Sequence, residues 1–576
     1  MRLKFTCPAL IVFIFSTIFF NGLQAQSNSN VIQFVSNNYE GVFATAIDSS
    51  DHIISVGDFT YSGYIQKPGQ TLSGSDSFDA FIACSDKQGN ILWKDIFGAS
   101  HSTWATNVVC DHAGNCYVTG YFEKGFILDG VSFDSTNYYN AFLMKLDHNG
   151  KVIWGTSYGV SYAYISQPSV PHGLTCDADG NLYFDMVLFS PLKIKNQVFA
   201  NVNSGKAGCL LAKFDINGNL VWGKALTNQY GIFSGVKADN YGHVYIGGHI
   251  YFGKTTWGGS NLPGLNDTAS EGLFLAKLDA SSGNMLWIQR CMGKTSYSEI
   301  SYIEIGRNGQ LYAGGDFADT LNIQGQNYYA TPHKDNGDQD IMALSLDTSG
   351  KILWLQHFGE FYEPQYPNGF CMDRWDNVYI GASFIVPVTL GSMTLFSTIA
   401  RDIYVIRFNE KGQYVNSTSS KAISNSSYSE MVGLMCDSGN NIFATGFLYG
   451  GTGFDRDTIY NTNPRQPSPF IWSLSPLFTA AAIDPEIKKT NNYFSVYPNP
   501  TNGNILNLEI ENGVPKGNAE ISCIDATGRL MFSKSINQSN FVGNTYPVQL
   551  PAMQPGLYFI IMVSEQGIYT QKLIRN

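Results

Sequence analysis

Short apolar runs alternate with turn residues along most of the chain, at a regular spacing. One recurring segment has an apolar strand, a turn of the form Asp-x-x-Gly, a second strand that contains Tyr, and a closing Gly. Its copies are CDHAGNCYVTG (110–120), CDADGNLYF (176–184), ADNYGHVYIGG (238–248) and IGRNGQLYAGG (305–315), with looser copies at 47–57, 372–381 and 436–446. Because Asp caps tight turns and Gly accepts positive φ, each copy predicts a β-hairpin.

A second recurring segment alternates with the first and ends in Trp. Its copies are 81–93, 142–154, 210–222, 273–287 and 342–354, followed by 404–415 and a truncated FIWSLSP (470–476). Two hairpins in each repeat of about 65 residues give four strands, the size of one β-propeller blade. The sequence therefore predicts a seven-bladed β-propeller over residues 31–478. The truncated last copy lacks its outer strand, and we expect Val31–Ser36 to supply it and so join the last blade to the first.

Composition agrees with an all-β protein. Charged residues make up 14% of the chain, against about 25% in typical globular proteins. Aromatic residues make up another 14% and Gly occurs 58 times, which excludes a disordered chain and a coiled coil. The net charge of −11 and the lack of a basic run make nucleic acid an unexpected partner.

The N-terminus has the pattern of a secretory signal peptide over residues 1–25. Arg2 and Lys4 precede an apolar run from Ala9 to Phe20, and cleavage is expected before Gln26. The apolar run is shorter than the ~20 residues that span a bilayer. We therefore expect export and a mature chain without a membrane span.

Nine cysteines follow Cys7. Cys110, Cys176 and Cys436 each precede the first residue of the same repeated turn. Equivalent positions in different repeats are expected to lie too far apart for a disulfide, so these residues are interpreted as small buried side chains. Cys110 and Cys116 flank one turn, and the sequence leaves open whether they are bonded across that hairpin.

After a linker at 479–492, residues 493–576 predict a small Ig-like β-sandwich, because strand patterns alternate there with turn signals. The segments Tyr497–Pro500, Asp525–Arg529, Pro555–Tyr558 and Lys572–Ile574 closely resemble the type A C-terminal sorting domain of the type IX secretion system of Bacteroidetes. That resemblance implies Sec export, recognition by the secretion machinery through residues 493–576, and a secreted or outer-surface location. The alternative is an Ig-like spacer without a signal.

The repeats themselves resemble the SBBP repeat family of bacterial β-propellers, through strings such as GNLYF and KLDHNGKVIW. This resemblance implies a secreted scaffold and no particular chemistry. The segment KLDASSGNMLW is also similar to the tryptophan-docking repeat of pyrroloquinoline quinone enzymes, so a quinoprotein oxidoreductase is a rival interpretation.

Candidate binding residues lie in the loops between blades, where aromatic side chains and neighbouring carboxylates recur. Aromatic faces flanked by acids suit sugar rings, whereas the alternative is that these aromatics only pack between blades. Longer loops between the second and third strands of each blade should lie on the same face, where function is commonly placed. The candidates are Tyr39, Trp104, Tyr162, Tyr230, Tyr297, Glu299, Tyr362, Glu363, Tyr428 and Glu430.

The acidic insert HKDNGDQD (333–340) makes Asp335, Asp338 and Asp340 candidate calcium ligands; the alternative is a solvated acidic loop. No other cofactor is expected. Common hydrolase, zinc-peptidase and nucleotide-binding motifs are lacking. The sequence favours a non-enzymatic scaffold that binds polysaccharide or a surface protein. A glycan-cleaving enzyme and a purely architectural protein remain as alternatives.

Overall fold

The computed structural model divides the chain into two compact units, one that ends at Leu474 and one that follows it. The residues that the structure describes are 24–27, 31–35, 40–60, 65–67, 70–72, 78–98, 101–135, 139–159, 171–188, 191–194, 197–199, 208–227, 231–251, 256–262, 271–293, 298–331, 339–359, 367–385, 387–390, 393–395, 397, 400–424, 426–454, 457–461, 467–474, 494–510, 518–525, 530–551, 553–564 and 567–576.

The described part of the first unit contains seven antiparallel sheets of four or more strands, here numbered in chain order, besides smaller sheets. Sheet 1 is built on β3 (Glu40–Ile47), β4 (Ile53–Thr60), β7 (Phe78–Ser85) and β8 (Ile91–Phe97). Sheet 2 is built on β9 (Thr103–Cys110), β10 (Cys116–Phe122), β13 (Asn140–Leu146) and β14 (Val152–Gly159). Sheet 3 is built on β15 (Pro171–Cys176), β16 (Leu182–Leu188), β19 (Gly208–Phe214) and β20 (Leu220–Thr227). Sheet 4 is built on β21 (Gly231–Ala238), β22 (His243–Tyr251), β25 (Glu271–Asp279) and β26 (Met285–Gly293). Sheet 5 is built on β27 (Glu299–Ile305), β28 (Leu311–Ala318), β31 (Gln339–Leu346) and β32 (Ile352–Phe358). Sheet 6 is built on β33 (Gly369–Met372), β34 (Val378–Phe384), β37 (Asp402–Phe408) and β38 (Tyr414–Ser419). Sheet 7 is built on β40 (Tyr428–Cys436), β41 (Ile442–Tyr449), β44 (Ser468–Ser473), β2 (Val31–Val35) and β1 (Gln24–Ser27).

The sheets follow one another in a propeller-like arrangement. The first strands of successive sheets contact each other in chain order, and β40 of sheet 7 contacts β3 of sheet 1. In sheet 7, β2 is the fourth strand and pairs with β44, in the place that the truncated repeat predicts. Outside β2 lies β1, which includes Gln24 and Ala25 of the predicted signal peptide.

The Asp that begins each well-formed turn organises the whole hairpin. Asp111 Oδ1 accepts the backbone N–H groups of Ala113 and Asn115 at 3.0 and 2.9 Å, and its Oδ2 accepts the Tyr117 hydroxyl at 3.1 Å. The same Asp–Tyr contact recurs at Asp177–Tyr183, Asp239–Tyr245 and Asp373–Tyr379. The repeated Asp and Tyr are therefore parts of one turn structure, which agrees with the prediction that Asp caps the turn.

The looser copies of the turn carry Asp or Asn where the others have Gly, and these residues link neighbouring sheets. Asp51 has a φ of 62°, and its Oδ1 accepts the backbone N–H of Ser438 in sheet 7 at 2.9 Å. Lys87 contacts both Asp51 and Asp437, at 3.2 and 2.8 Å. Two further links of this kind are Arg307 N–H to Asp376 and Arg374 N–H to Asn440. The departures from the repeat consensus thus have a structural reason.

Tryptophans at the end of the second segment join each of sheets 1 to 5 to the sheet that follows it. Trp222 of sheet 3 donates its Nε1–H to the Ala280 carbonyl of sheet 4 at 3.1 Å. Its ring lies so close to Gly283 that a Cβ there would stand 2.9 Å from it. Equivalent bonds are Trp93 to His148, Trp154 to Ile216, Trp287 to Thr348 and Trp354 to Glu410.

Short hairpins occupy the loops between the second and third strands. They are β5 (Ile65–Lys67) with β6 (Gln70–Leu72), β11 (Phe126–Leu128) with β12 (Val131–Phe133), β17 (Leu192–Ile194) with β18 (Gln197–Phe199), β23 (Thr256–Trp257) with β24 (Ser260–Asn261), β29 (Thr320–Ile323) with β30 (Gln326–Tyr329), β35 (Val388–Leu390) with β36 (Met393–Leu395), and β42 (Gly451–Phe454) with β43 (Asp457–Tyr460). The hairpins β23–β24 and β29–β30 pair with β20 and β26, the last strands of the preceding sheets, and β39 (Lys421–Ala422) pairs with β42. These segments extend and cover sheet edges, which is a structural role that the sequence interpretation of these loops does not include.

The second unit has two antiparallel sheets around a common core. One contains β45 (Phe494–Tyr497), β46 (Ile505–Ile510) and β49 (Thr545–Gln549), and the other β47 (Asn518–Asp525), β48 (Leu530–Asn537), β50 (Gly556–Ser564) and β51 (Gly567–Arg575); a 3₁₀ helix spans Gln538–Asn540. Phe494 and Leu508 from the first sheet and Ile521 and Ile560 from the second belong to one buried cluster.

Candidate functional site

The described candidate residues lie at the end of the sheets opposite the Asp turns, here called the loop end. Trp104, Glu299 and Glu430 occupy the same position in three repeats, seven residues before the first residue of the turn (Asp111, Gly306 and Asp437). Each belongs to a different sheet, namely sheets 2, 5 and 7. Six candidates lie outside the described residues: Tyr39, Tyr162, Tyr230, Tyr297, Tyr362 and Glu363.

Trp104 is the centre of an aromatic cluster made of Phe78, Trp104, Tyr121 and Tyr139. Trp104 and Tyr121 are opposed on β9 and β10, and their ring centroids are 4.6 Å apart in a stacked arrangement. The ring centroid of Tyr139 lies 6.1 Å from the centroids of both of these rings, and that of Phe78 in sheet 1 lies 5.9 Å from the centroid of the Trp104 ring. All four side chains are half-buried, so the cluster presents ring surface to solvent at the loop end.

Polar groups border the aromatic cluster. Burial, together with a hydrogen bond to Glu123, raises the pKa of Tyr139 to about 12. Burial and the nearby Asp58 raise the pKa of Tyr121. Both phenols therefore stay protonated at neutral pH, and the Tyr139 hydroxyl donates to the Glu123 carboxylate.

Asp58 is the buried acid beside this cluster, and it predicts a pH dependence of stability. The residue is 2% exposed, its Oδ1 has no hydrogen-bond partner, and burial raises its pKa to about 7. An unfolded Asp has a pKa of about 3.9, so the folded state binds this proton more tightly. The stabilisation is complete below about pH 4 and is lost as pH rises through about 7. The free energy of unfolding of the wild type should therefore fall between about pH 4 and about pH 7. In Asp58→Asn, which has no carboxyl to titrate, we expect this fall to be smaller by on the order of 2 kcal/mol, as measured by urea denaturation.

The exposed Asp134, changed to Asn, serves as the control and should leave the pH profile unaltered. A profile of Asp58→Asn that falls with pH as steeply as the wild-type profile would contradict the assignment of a buried, protonated carboxyl.

Two further candidates, Tyr428 and Glu430, form a second aromatic group on sheet 7. The Tyr428 hydroxyl donates to Glu430 Oε2, and the Arg401 guanidinium lies 5.2 Å from the centroid of the Tyr428 ring. Tyr449 and Phe447 lie 5.9 and 6.5 Å from that ring. Burial and the bond to Glu430 raise the pKa of Tyr428 to about 12. In this group the polar atoms of Tyr428 and Glu430 are engaged with each other.

Glu299 lies within a group of buried acids on sheets 3 and 5. Its Oε1 accepts the hydroxyl of Ser234, and its strand partner is Asp316, whose Oδ2 accepts Gln339 Nε2 at 2.6 Å. Burial raises the pKa of Glu299. Burial, with a contribution from the charge of Glu299, raises the pKa of Asp185 to about 8. The Asp185 carboxyl therefore favours its protonated form at neutral pH.

Of the three candidate calcium ligands, only Asp340 is among the described residues. Its carboxylate is fully buried and accepts Thr331 N–H at 3.0 Å and His357 Nδ1 at 2.6 Å. Asp335 and Asp338 lie outside the described residues. Within the described part of the chain, no group of three or more His, Cys, Asp or Glu is arranged to hold a metal ion. A calcium site at 333–340 stays a prediction.

The sequence interpretation missed Phe78, Tyr121 and Tyr139 as partners of Trp104. The strand register explains the omission, since β9 carries a bulge opposite Thr119 and Gly120 that shifts the pairing by one residue. The available signal is Gly120 itself, because a Cβ there would lie 1.9 Å from the Trp104 carbonyl oxygen.

In the second unit, the C-terminal strand is held by the segment that follows β45. Thr501 N–H donates to the Ile574 carbonyl, and Ile574 N–H donates to Asn499 Oδ1, both at 2.9 Å. Arg575 Nη2 donates to Asn504 Oδ1 at 3.2 Å. The structure thus brings together two of the segments on which the sorting-domain resemblance rests.

Residues 495–576 match the family described as the secretion system C-terminal sorting domain. This confirms the resemblance for the second unit and implies secretion through the type IX system. The protein is accordingly exported to the cell surface or the extracellular space. Within the described part of the chain, no helix has the length and apolar character needed to cross a membrane.

Several solved structures are similar to this chain at low sequence identity. PorZ, an essential bacterial surface component of the type IX secretion system of Porphyromonas gingivalis, is 10% identical over 96% of this chain and 86% of its own, with a TM-score of 0.23. Quinohemoprotein alcohol dehydrogenase from Comamonas testosteroni is 9% identical over 80% and 75%, with a TM-score of 0.33. A protein of unknown function from Bacteroides caccae is 11% identical over 58% and 92%, with a TM-score of 0.27. No curated protein is similar in sequence to this chain.

Proposed function

We propose that this chain is a non-enzymatic binding scaffold, exported by the type IX system, whose first unit is a seven-bladed β-propeller and whose aromatic cluster binds polysaccharide. The second unit, proposed to be an Ig-like sandwich, is the part that the secretion machinery recognises. A surface protein in place of polysaccharide is the other ligand class that the loop end could take.

The propeller assignment is supported by the order of the strands. Seven sheets repeat the same first-to-fourth order, the first strands contact each other around the whole series, and β2 completes the last sheet. The bonds of Ser438 to Asp51 and of Thr45 Oγ1 to Thr445 Oγ1, the latter at 3.1 Å, connect sheet 7 with sheet 1. Blades of this kind present their loops on a rigid support, which is where binding residues are commonly found.

The half-exposed aromatic cluster is the single observation that carries the binding proposal. The stacked pair and a third ring nearby give a partly exposed apolar surface against which the C–H face of a sugar ring can pack. The phenols of Tyr121 and Tyr139 and the carboxylate of Glu123 can bond sugar hydroxyls at its border. The rings of the Tyr428 group lie farther apart, since the stacked pair Tyr428–Phe447 has a centroid distance of 6.5 Å against 4.6 Å for Trp104–Tyr121, so we place the ligand on the Trp104 side.

The binding test uses the full chain and a panel of plant, algal and bacterial polysaccharides, with calcium and with a chelator. We expect saturable binding to at least one of them. Trp104→Ala should weaken it about tenfold or more, because the central ring of the cluster is lost, which is equivalent to about 1.4 kcal/mol. Isothermal titration calorimetry or affinity electrophoresis measures the change.

Tyr241→Ala is the matched control, since Tyr241 is an exposed aromatic in a turn at the opposite end of the sheets. It should bind as the wild type does. Folded protein that binds no polysaccharide of the panel contradicts the polysaccharide proposal and favours a protein partner. Equal weakening by both variants would contradict the proposed location.

Glycan hydrolysis is the second candidate, and the acids around Glu299 favour it. Glycosidases need two carboxyls about 5–10 Å apart, one of them protonated at neutral pH. Glu299 and Asp316 are strand partners with raised pKa values. Release of reducing ends from a bound polysaccharide, abolished by Glu299→Gln, would establish this activity, and its absence would leave binding alone.

A further inference from the structure

Two cysteines face each other across the first hairpin of sheet 2. Cys110 is the last residue of β9 and Cys116 the first residue of β10, and the two are direct partners in the strand register. Their Sγ atoms are 2.8 Å apart. A disulfide bond is about 2.04 Å long, so a small movement of the side chains separates this contact from a bond.

The backbone geometry at this pair suits a disulfide. Asp111 N–H donates to the Asn115 carbonyl at 2.8 Å, so the flanking pair of Cys110 and Cys116 is of the type without backbone hydrogen bonds. In such pairs the Cα atoms lie about 4.5 Å apart and the side chains are closest. This separation falls within the range of about 4.4–6.8 Å that disulfides require.

The turn between the two cysteines holds them in place. Asp111 accepts two backbone N–H groups of the turn and is also bonded to the Asn115 side chain and the Tyr117 hydroxyl. The hairpin therefore cannot easily slip in register, and the two sulfur atoms stay opposed.

We propose that Cys110 and Cys116 form an intramolecular disulfide in the exported protein, an inference that goes beyond the proposed binding function. The electron acceptor is a disulfide-bearing compound or oxidoreductase met during export. One cysteine thiolate attacks the acceptor disulfide and forms a mixed disulfide. The second cysteine thiolate then attacks the protein sulfur of the mixed disulfide, so that the Cys110–Cys116 bond forms as the bond to the acceptor breaks. The acceptor leaves reduced to its two thiols, and two protons and two electrons have passed to it from the protein.

The order of events follows from the surroundings of the pair. The contact with Cys116, together with burial, raises the pKa of Cys110 well above its ordinary value, and Cys116 is fully buried. Because the thiolate is the reactive form, oxidation takes place before the hairpin packs into the unit. The completed bond then ties β9, the strand that carries Trp104, to β10.

A third cysteine lies beside this pair. The Sγ of Cys176 is 3.5 Å from the Cys110 carbonyl oxygen; that equivalent positions in different repeats lie too far apart for a disulfide stays a prediction. Cys176 contacts the backbone of Cys110 in the structure, whereas Cys116 contacts its sulfur. Cys116 is therefore the bonding partner of Cys110, and Cys176 remains a thiol.

Mass spectrometry of the full chain, collected after secretion and quenched in acid, tests the proposal. Free thiols are alkylated under denaturing conditions without reductant, and the protein is cut with trypsin. The peptide 95–124 contains both Cys110 and Cys116 and no other cysteine. We expect this peptide without alkyl groups and lighter by two hydrogen atoms, and with two alkyl groups when reduction precedes alkylation.

Cys84, on a separate tryptic peptide, should be alkylated in both arms and shows that buried thiols are reached. In Cys116→Ser, Cys110 should become alkylated without reduction. Peptide 95–124 bearing two alkyl groups in the unreduced arm would overturn the proposal. The proposal would equally be overturned by a cross-link between peptides 95–124 and 152–193, which carries Cys176.

Discussion

Trp222→Ala is expected to lower the free energy of unfolding of the first unit by about 3–5 kcal/mol. Trp222 is 9% exposed and belongs to the buried cluster that joins sheets 3 and 4. Its ring fills the space over Gly283 and its Nε1–H bonds the Ala280 carbonyl. Truncation removes both interactions and leaves a cavity that the rigid sheets cannot close. Urea denaturation followed by circular dichroism measures the change.

Two comparisons separate the packing of this ring from its hydrogen bond. Trp222→Phe keeps most of the ring and loses the N–H donor, so we expect a loss of about 1–2 kcal/mol. Leu286→Ala removes an exposed apolar residue that directly precedes an equivalent tryptophan, and it should change stability by less than about 0.5 kcal/mol. Equal effects of Trp222→Ala and Leu286→Ala would contradict the role assigned to the tryptophan.

A chain that begins at residue 36 is expected to lose about 5 kcal/mol or more of stability, since it lacks the strand that completes sheet 7. In the intact chain β2 pairs Val31 with Trp472 and Gln33 with Phe470. Val31 and Trp472 are both fully buried. Removing β2 uncovers these side chains and leaves β44 as an open strand edge, which favours aggregation. Urea denaturation and light scattering measure the two consequences.

A chain that begins at residue 28 is the matched control, because it lacks only β1, the strand outside β2. It should keep the denaturation midpoint of the longer chain. If the chain that begins at residue 36 has that same midpoint and remains monomeric, β2 does not close the series of sheets.

The hairpins and their order could be predicted from the sequence because both depend on local chemistry. Asp111 and Gly114 determine a turn through bonds and a positive φ within four residues, and the repetition of that turn gives the number of sheets. The missing strand of the last repeat likewise predicts the place of β2. In these cases the structure depends on residues that are close in sequence or on a unit that is repeated along the chain, so the sequence pattern predicts it.

The make-up of the candidate site could be predicted only in part. The sequence indicates Trp104, Glu299, Tyr428 and Glu430 because aromatics and acids recur between blades. Its placement of these residues in loops is wrong, since they lie on the first strands β9, β27 and β40, and their partners depend on the strand register. A bulge shifts the pairing of β9 so that Tyr121 faces Trp104; the closing Gly of the repeat, here Gly120, lies opposite that bulge, but it does not show which side chains the bulge brings together. Contacts between sheets, such as Asp51 with Ser438, join residues hundreds of positions apart and have no local signal.

Hydrogen–deuterium exchange of the full chain, with and without the polysaccharide selected by the binding panel, tests most directly whether the aromatic cluster is the binding site. Binding there should slow backbone exchange in the segments that carry the cluster, near Trp104, Tyr121 and Tyr139, and this protection should be lost in Trp104→Ala. Protection confined to other segments, such as those around Tyr428 or within the second unit, would contradict the account.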